Sequence, residues 1–111
     1  MDINTISLNT KESAEVAFET AQAKVRIKTP KHEEGCGLLI KNSSSSSANI
    51  VINGGNSIMS VGDTVIAAKS GETLVSLKDT GRYKNVFGED AGYIVLEISA
   101  PSNISLFAFE I

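Results

Sequence analysis

Short apolar runs alternate along the chain with clusters of glycine, asparagine, serine and threonine. Runs spaced about 8–12 residues apart, with turn residues between them, are the pattern of a sandwich or barrel of short strands. Ala23–Lys28 shows the two-residue period most plainly. Val25 and Ile27 fall on one side, and Lys24, Arg26 and Lys28 on the other. Thr29-Pro30 closes that strand, because proline has no N–H to give to a ladder. Gly37–Lys41 is compact and apolar around Leu38-Leu39-Ile40. Ile50-Val51-Ile52 follows and ends at Asn53-Gly54-Gly55-Asn56. Asp63–Ala68 and Thr73–Leu77 flank Ser70-Gly71, which reads as a hairpin turn. Gly92–Ser99 and Ile104–Ile111 are the longest predicted strands, joined around Ala100-Pro101-Ser102-Asn103. In the last strand Phe107, Phe109 and Ile111 share one face and Ile104, Leu106 and Ala108 the other. Apolar side chains on both parities are expected of a strand covered on two sides.

The first quarter of the chain is less decisive. Ile3–Leu8 reads as a weak edge strand, with Ile6 and Leu8 on one parity beside Asn4. Ala14–Glu19 alternates with Val16 and Phe18 inward. Ala14, Phe18, Ala21 and Val25 also fit helical spacing, and the Ala and Glu content favours a helix. Both readings stand for residues 11–25. Strand is preferred, from the period-two Val and Phe and the all-β character of everything downstream.

The pattern therefore predicts an all-β fold: one domain over residues 1–111, an antiparallel β-sandwich or jelly-roll-like domain of about eight to ten short strands. Its expected core is Val16, Phe18, Val25, Ile27, Leu38, Ile40, Ile50, Ile52, Val65, Val75, Leu77, Ile94, Leu96, Ile98, Leu106 and Phe107, drawn from nearly every strand, as two packed sheets require. Ser43–Ser47 is expected to be a flexible surface loop.

Composition narrows the function. At 111 residues the chain buries roughly 65% of its unfolded surface, enough for one core. Ten basic residues stand against thirteen acidic ones, a net charge of −3. That argues against a nucleic-acid binder working by bulk charge. No apolar run approaches the roughly 18 residues of a membrane helix. Met1-Asp2-Ile3-Asn4-Thr5 lacks the basic region and apolar stretch of a secretory signal.

Candidate chemistry is sparse, and neither catalysis, a cofactor nor a metal is expected. The single histidine and single cysteine lie in Lys31-His32-Glu33-Glu34-Gly35-Cys36. They supply at most two strong ligands, too few for a structural zinc site. A solvated turn with a half-buried Cys36 is the expected reading. Gly54-Gly55-Asn56-Ser57 and Ala68-Lys69-Ser70-Gly71 lack the glycine–lysine arrangement of a phosphate loop. Glu33-Glu34 and Glu89-Asp90 sit in evident loops, without the burial that would separate their pKa values for acid–base work. Asn42-Ser43-Ser44 and Asn103-Ile104-Ser105 match the glycosylation pattern by chance. Lys24, Arg26 and Lys28 share a strand face and read either as a polyanion patch or, preferably, as a solvated face. Arg82, Tyr83 and Lys84 place an aromatic between two cations and are the first candidates for contact with a protein partner. Tyr83, Phe87 and Tyr93 are the aromatics that would serve a carbohydrate-binding module.

The succession Leu38-Leu39-Ile40-Lys41-Asn42, Gly54-Gly55-Asn56-Ser57-Ile58, Gly62-Asp63, Thr80-Gly81-Arg82-Tyr83-Lys84-Asn85 and Gly92-Tyr93-Ile94-Val95-Leu96-Glu97 resembles small β-rich structural proteins of tailed phages and prophages. Those proteins bear a similar Gly-Asn-(x)-Ile loop and a Ser/Thr-Gly-Arg-Phe/Tyr-Lys hairpin before a final strand pair. The similarity spans about residues 36–111; the serine run and the insert around Pro30–Gly35 depart from it. Several such proteins are capsid decoration, or cement, proteins. The resemblance implies a β-sandwich on the outside of an assembled phage head, located in the virion and, during assembly, in the host cytoplasm. Its partner would be the major capsid protein, with a trimer as the expected self-association and no part for nucleic acid or membrane. A tail, baseplate or head-fibre component is the alternative.

Overall fold

The structure is a computed structural model that describes residues 1–5, 16, 18–29, 35–58, 60, 62–77 and 82–110. Over these residues the chain forms strands β1 (Asp2–Asn4), β2 (Glu19–Thr20), β3 (Lys24–Lys28), β4 (Cys36–Asn42), β5 (Ala48–Ile52), β6 (Thr64–Ala68), β7 (Gly71–Leu77), β8 (Tyr93–Ile98) and β9 (Ile104–Glu110). One sheet has the order β1-β3-β8-β5-β6, the other β2-β9-β4-β7. Pairing is antiparallel apart from β1, which runs parallel to β3. From β2 onward the chain passes repeatedly between the two sheets, the crossing arrangement of a jelly roll. The expected all-β sandwich is the fold observed.

The two sheets close on each other through aliphatic side chains. Val25 and Ile27 on β3, Ile50 and Ile52 on β5, and Ile94 and Leu96 on β8 meet Leu38 and Ile40 on β4 and Ile104 and Leu106 on β9. All belong to one cluster, and each is at most 1% exposed. Register keeps them in step, pairing Ile27 with Ile94, Val25 with Leu96, and Ile40 with Leu106. Because side chains alternate, fixing these pairs fixes the facing of every other residue on those strands.

Several expectations fail at the margins of this core. Val65 is 62% exposed. It pairs with Val51, while Ile66 pairs with the fully buried Ile50, so Ile66 takes the inward side. The run Thr64-Val65-Ile66-Ala67-Ala68 is apolar on both parities, so its pattern does not set its facing. Val16 is half exposed and Phe18 only half-buried; the predicted strand there is described only at β2. Phe107 is buried, but from outside: its neighbours Leu106 and Ala108 occupy the inward side of β9. The ring of Phe107 stacks with that of Phe109, centroids 6.0 Å apart, and Phe109 lies over its cross-strand partner Gly37, where a Cβ would enter the ring. Ile6, Leu8, Ala14 and Ile111 lie outside the described residues, as do residues 11–15 and 17 of the stretch read as either strand or helix.

Ser70-Gly71 is not a hairpin. β6 and β7 belong to different sheets, and the turn, with Gly71 at φ +101°, carries the chain from one to the other. The same holds for the predicted hairpin around Arg82-Tyr83-Lys84, which lies in the connection from β7 to β8 in the opposite sheet. A turn signal marks a reversal but does not say whether the returning strand pairs with the one before it.

Asn42, at the end of β4, is a buried amide at 2% exposure. Its Nδ2 donates to the Ala68 carbonyl at the end of β6 and to the Ser46 carbonyl, both at 2.9 Å, and its Oδ1 accepts the Ser44 N–H at 3.0 Å. One side chain thus ties one sheet to the other and shapes the serine run into a hydrogen-bonded turn. The Ser43 N–H adds a bond to the Asn103 carbonyl at 3.0 Å. Asn42 is inaccessible to a glycan.

Three substitutions separate these contributions. Leu38→Ala removes a fully buried side chain and should lower unfolding free energy by about 2–5 kcal/mol. Asn42→Ala strands buried carbonyls and should cost about 1–3 kcal/mol. Ser45→Ala, on the exposed turn, should stay within about 0.5 kcal/mol. Urea unfolding followed by circular dichroism measures all three.

Candidate partner-binding surface

Two long connections, residues 53–63 and the described part of the β7–β8 loop at 82–92, meet at one end of the sandwich. Asn56 joins them. Its Nδ2 donates to the Phe87 carbonyl at 2.9 Å, and its Oδ1 accepts the Val86 N–H at 2.7 Å. Gly55, at φ +70°, sits so close to the carbonyls of Tyr83 and Lys84 that a Cβ would collide with them. The Asp63 carboxylate closes the first loop by accepting the Gly54 N–H at 2.8 Å. Asn85 closes the second: its N–H and Nδ2 both donate to the Tyr93 carbonyl, and its own carbonyl accepts the Gly92 N–H. The two loops form one hydrogen-bonded unit.

That unit presents apolar side chains to water. Ile58 is fully exposed, Phe87 is 65% exposed and Val86 is 54% exposed. Isolated surface hydrophobics are ordinary, but three on two bonded loops form a candidate contact site. In the sequence Phe87 stands out only as one aromatic of a sugar-binding module and Ile58 only as the end of the Gly54–Ile58 loop motif, while Val86 does not stand out at all. The available signal was an aliphatic or aromatic residue inside a run of turn formers, as in Asn56-Ser57-Ile58 and Asn85-Val86-Phe87-Gly88.

Arg82, Tyr83 and Lys84 lie at the base of the same loop. Arg82 is exposed and Lys84 half-buried. Tyr83 packs against the core, with its hydroxyl 3.3 Å from Thr64 Oγ1, and so anchors the loop. The three aromatics considered for a sugar platform do not form one. Tyr83 is held inward, Tyr93 lies beneath a guanidinium, and Phe87 alone of the three is exposed.

The guanidinium over Tyr93 belongs to Arg26. It lies 4.2 Å from the ring centroid and donates through Nε and Nη2 to both carboxylate oxygens of Asp2, each at 2.8 Å. Its Nη1 reaches the Glu89 carbonyl at 3.3 Å and Asp90 Oδ1 at 3.4 Å. Lys24 approaches the other Asp90 oxygen at 3.7 Å. The basic face of β3 is therefore largely occupied by acidic partners within the molecule. Arg26 holds β1 on one side and the 82–92 loop on the other. A shallow polar cleft of about 340 Å³ lies alongside, lined by Lys24, Asn53, Asp63, Asn85, Asp90 and Glu97.

Cys36 faces inward with no exposed surface. Burial, with the nearby Glu110 charge adding to it, pushes its thiol up to about 11, so it stays protonated and unreactive at neutral pH. His32, Glu33 and Glu34 lie outside the described residues. Comparison of the chain with protein-family models, curated proteins and solved structures finds no match in any of the three.

The Arg26 hydrogen bonds hold the Asp2 carboxyl below its usual range. A depressed carboxylate pKa contributes stability above the unfolded value and loses it as pH falls through the folded one. Docking of β1 should therefore be complete at neutral pH and weaken below about pH 4. The protection factor of the Arg26 amide, whose N–H bonds to the Met1 carbonyl at 2.8 Å, should fall on acidification. Asp2→Asn should show the lower protection already at neutral pH.

Proposed function

We propose that this chain is a non-enzymatic structural protein of a tailed-phage particle. It docks on the outer surface of the assembled head, and the loop end carrying Ile58, Val86 and Phe87 touches the major capsid protein. The observation that carries the docking face is the exposure of these three side chains on loops already bonded together by Asn56. An aromatic anchor on an ordered loop loses little conformational freedom when covered, which is what makes such residues effective at interfaces. The assignment to a phage particle rests on the order and spacing of the turn motifs in residues 36–111. The jelly roll is compatible with it, since capsid proteins and lectins both use that architecture, although fold alone does not choose between them. The lack of a shared aromatic platform weighs against the lectin.

A protein that binds only the assembled shell stabilises it by mass action. Repetition over symmetry-related sites lets individually weak contacts suffice when neighbouring copies also touch.

Cosedimentation of the purified chain with expanded and unexpanded heads of its phage, followed by electron microscopy, tests the reading. Saturable binding to expanded heads at symmetric positions is expected. Ile58→Asp combined with Phe87→Asp should abolish it with little change in melting temperature, because both side chains are solvent-exposed. Recovery on tails instead of heads would transfer the protein to the tail or baseplate. Failure to bind any particle would overturn the proposal.

A further inference from the structure

The two sides of the sandwich end very differently. On one side the outermost strands are β1 and β2, of three and two residues. Edges this short offer little to a pairing strand. On the other side the outermost strands are β6 and β7, of five and seven residues. They lie on the same side because only Lys69 and Ser70 separate them. Among the described residues β4 is the sheet neighbour of β7, and β5 that of β6. Among the described residues neither edge carries the usual protection. There is no proline or lysine in either strand, and the registers run without a bulge from Cys36–Leu77 to Asn42–Gly71 and from Ala48–Ala68 to Ile52–Thr64.

The large apolar side chains that the described strands expose lie on these same two edges: Val65 on β6 at 62% and Leu74 on β7 at 66%. Alternate residues of an edge strand also direct their N–H and C=O groups outward. We propose that this side of the sandwich is a self-association interface, where β7 pairs antiparallel with β7 of a second copy about a two-fold axis through Leu74. The four-stranded sheet then continues into its partner as one sheet of eight.

The occupant follows from self-complementarity. A two-fold axis normal to the sheet keeps outward side chains beside outward ones, so the pairing centre must fall on a residue. Centred on Leu74, the register sets Leu74 against Leu74 of the partner, Thr73 against Val75, Glu72 against Ser76 and Gly71 against Leu77. Glu72 is the charged residue of the strand, and in this register it meets a serine hydroxyl, not another carboxylate. Moving the centre to Thr73 would instead bring Glu72 against Leu74. The chosen register joins the exposed leucines and opposes no like charges, which is the condition for a closed isologous contact. The pairing needs no head and holds whatever larger partner the protein has.

Cysteine substitution tests both the contact and its register, and buried Cys36 leaves a clean background. Directly opposed strand residues lie within disulfide reach. Under diamide oxidation, the Leu74→Cys chain should cross-link to itself. Glu72→Cys and Ser76→Cys chains should each remain uncrosslinked alone and cross-link when mixed. Lys69→Cys, outside the strand, should not. Sedimentation equilibrium of the unmodified chain should give a dimer, and Leu74→Lys should weaken association at least about tenfold while preserving the circular dichroism spectrum. A chain that stays monomeric, a trimer, or equal cross-linking at positions 69 and 74 would overturn the proposal.

Discussion

The molecule depends on one constraint: two aliphatic faces must close on each other with no large ring between them. The fully buried side chains at the centre are Val, Ile and Leu from β3, β4, β5, β8 and β9, and most lie beside another buried aliphatic on a paired strand. Branched side chains fill the gap between sheets with few rotamers to lose. The aromatics are consequently displaced outward. Phe107 and Phe109 cover the outside of β9, where Gly37 leaves room for a ring, and Tyr93 lies on the outer face of β8 under Arg26. Once the centre is closed, the outer face of each sheet is determined residue by residue.

Polar side chains then fix what the core leaves free. A jelly roll joins most consecutive strands across sheets, so its connections are long or must turn sharply, and their backbone groups need partners. Asn42 supplies them at one end by linking β4, β6 and the serine turn. Asn56 supplies them at the other by binding the backbone of the neighbouring loop. Arg26 does the same on the outer face, where β1 has only three residues of ladder to hold it. Its side-chain hydrogen bonds reach a strand and a loop more than twenty and sixty residues away in sequence. These three residues are ordinary in composition and become specific only through what the topology sets beside them.

That explains which parts of the fold were legible in the sequence. β3 could be read because its lysines and arginine alternate strictly with Val25 and Ile27. β4, β5, β8 and β9 could be read because their apolar runs are bounded by turn residues. Facing was plainest where one parity is polar, as at Val25; of the runs apolar on both parities, Ile50-Val51-Ile52 was placed correctly and Val65 in β6 was not. Pairing was not legible at all at Ser70-Gly71, since the local signal of a reversal is the same within a sheet and between sheets. The candidate surface was legible in part. The 82–84 triplet lies at the base of the loop that exposes Val86 and Phe87, but Tyr83 packs inward, and the exposed apolar residues lie a few positions further on, where Asn56, thirty residues away, bonds the Val86 N–H.

The two surfaces lie in different directions on the molecule. The loop unit of Ile58, Val86 and Phe87 caps an end of the strands, whereas the β6–β7 edge runs along their length. Covering one therefore leaves the other open. Antiparallel pairing through β7 about an axis normal to the sheet reverses the strand direction of the second copy, so it would turn the two loop ends toward opposite ends of the eight-stranded sheet. A pair of this kind would set only one loop end against any one flat partner, and its second loop end would add no foothold on that same surface. The edge and the loop end therefore serve separate contacts, and the strength of one does not follow from the strength of the other.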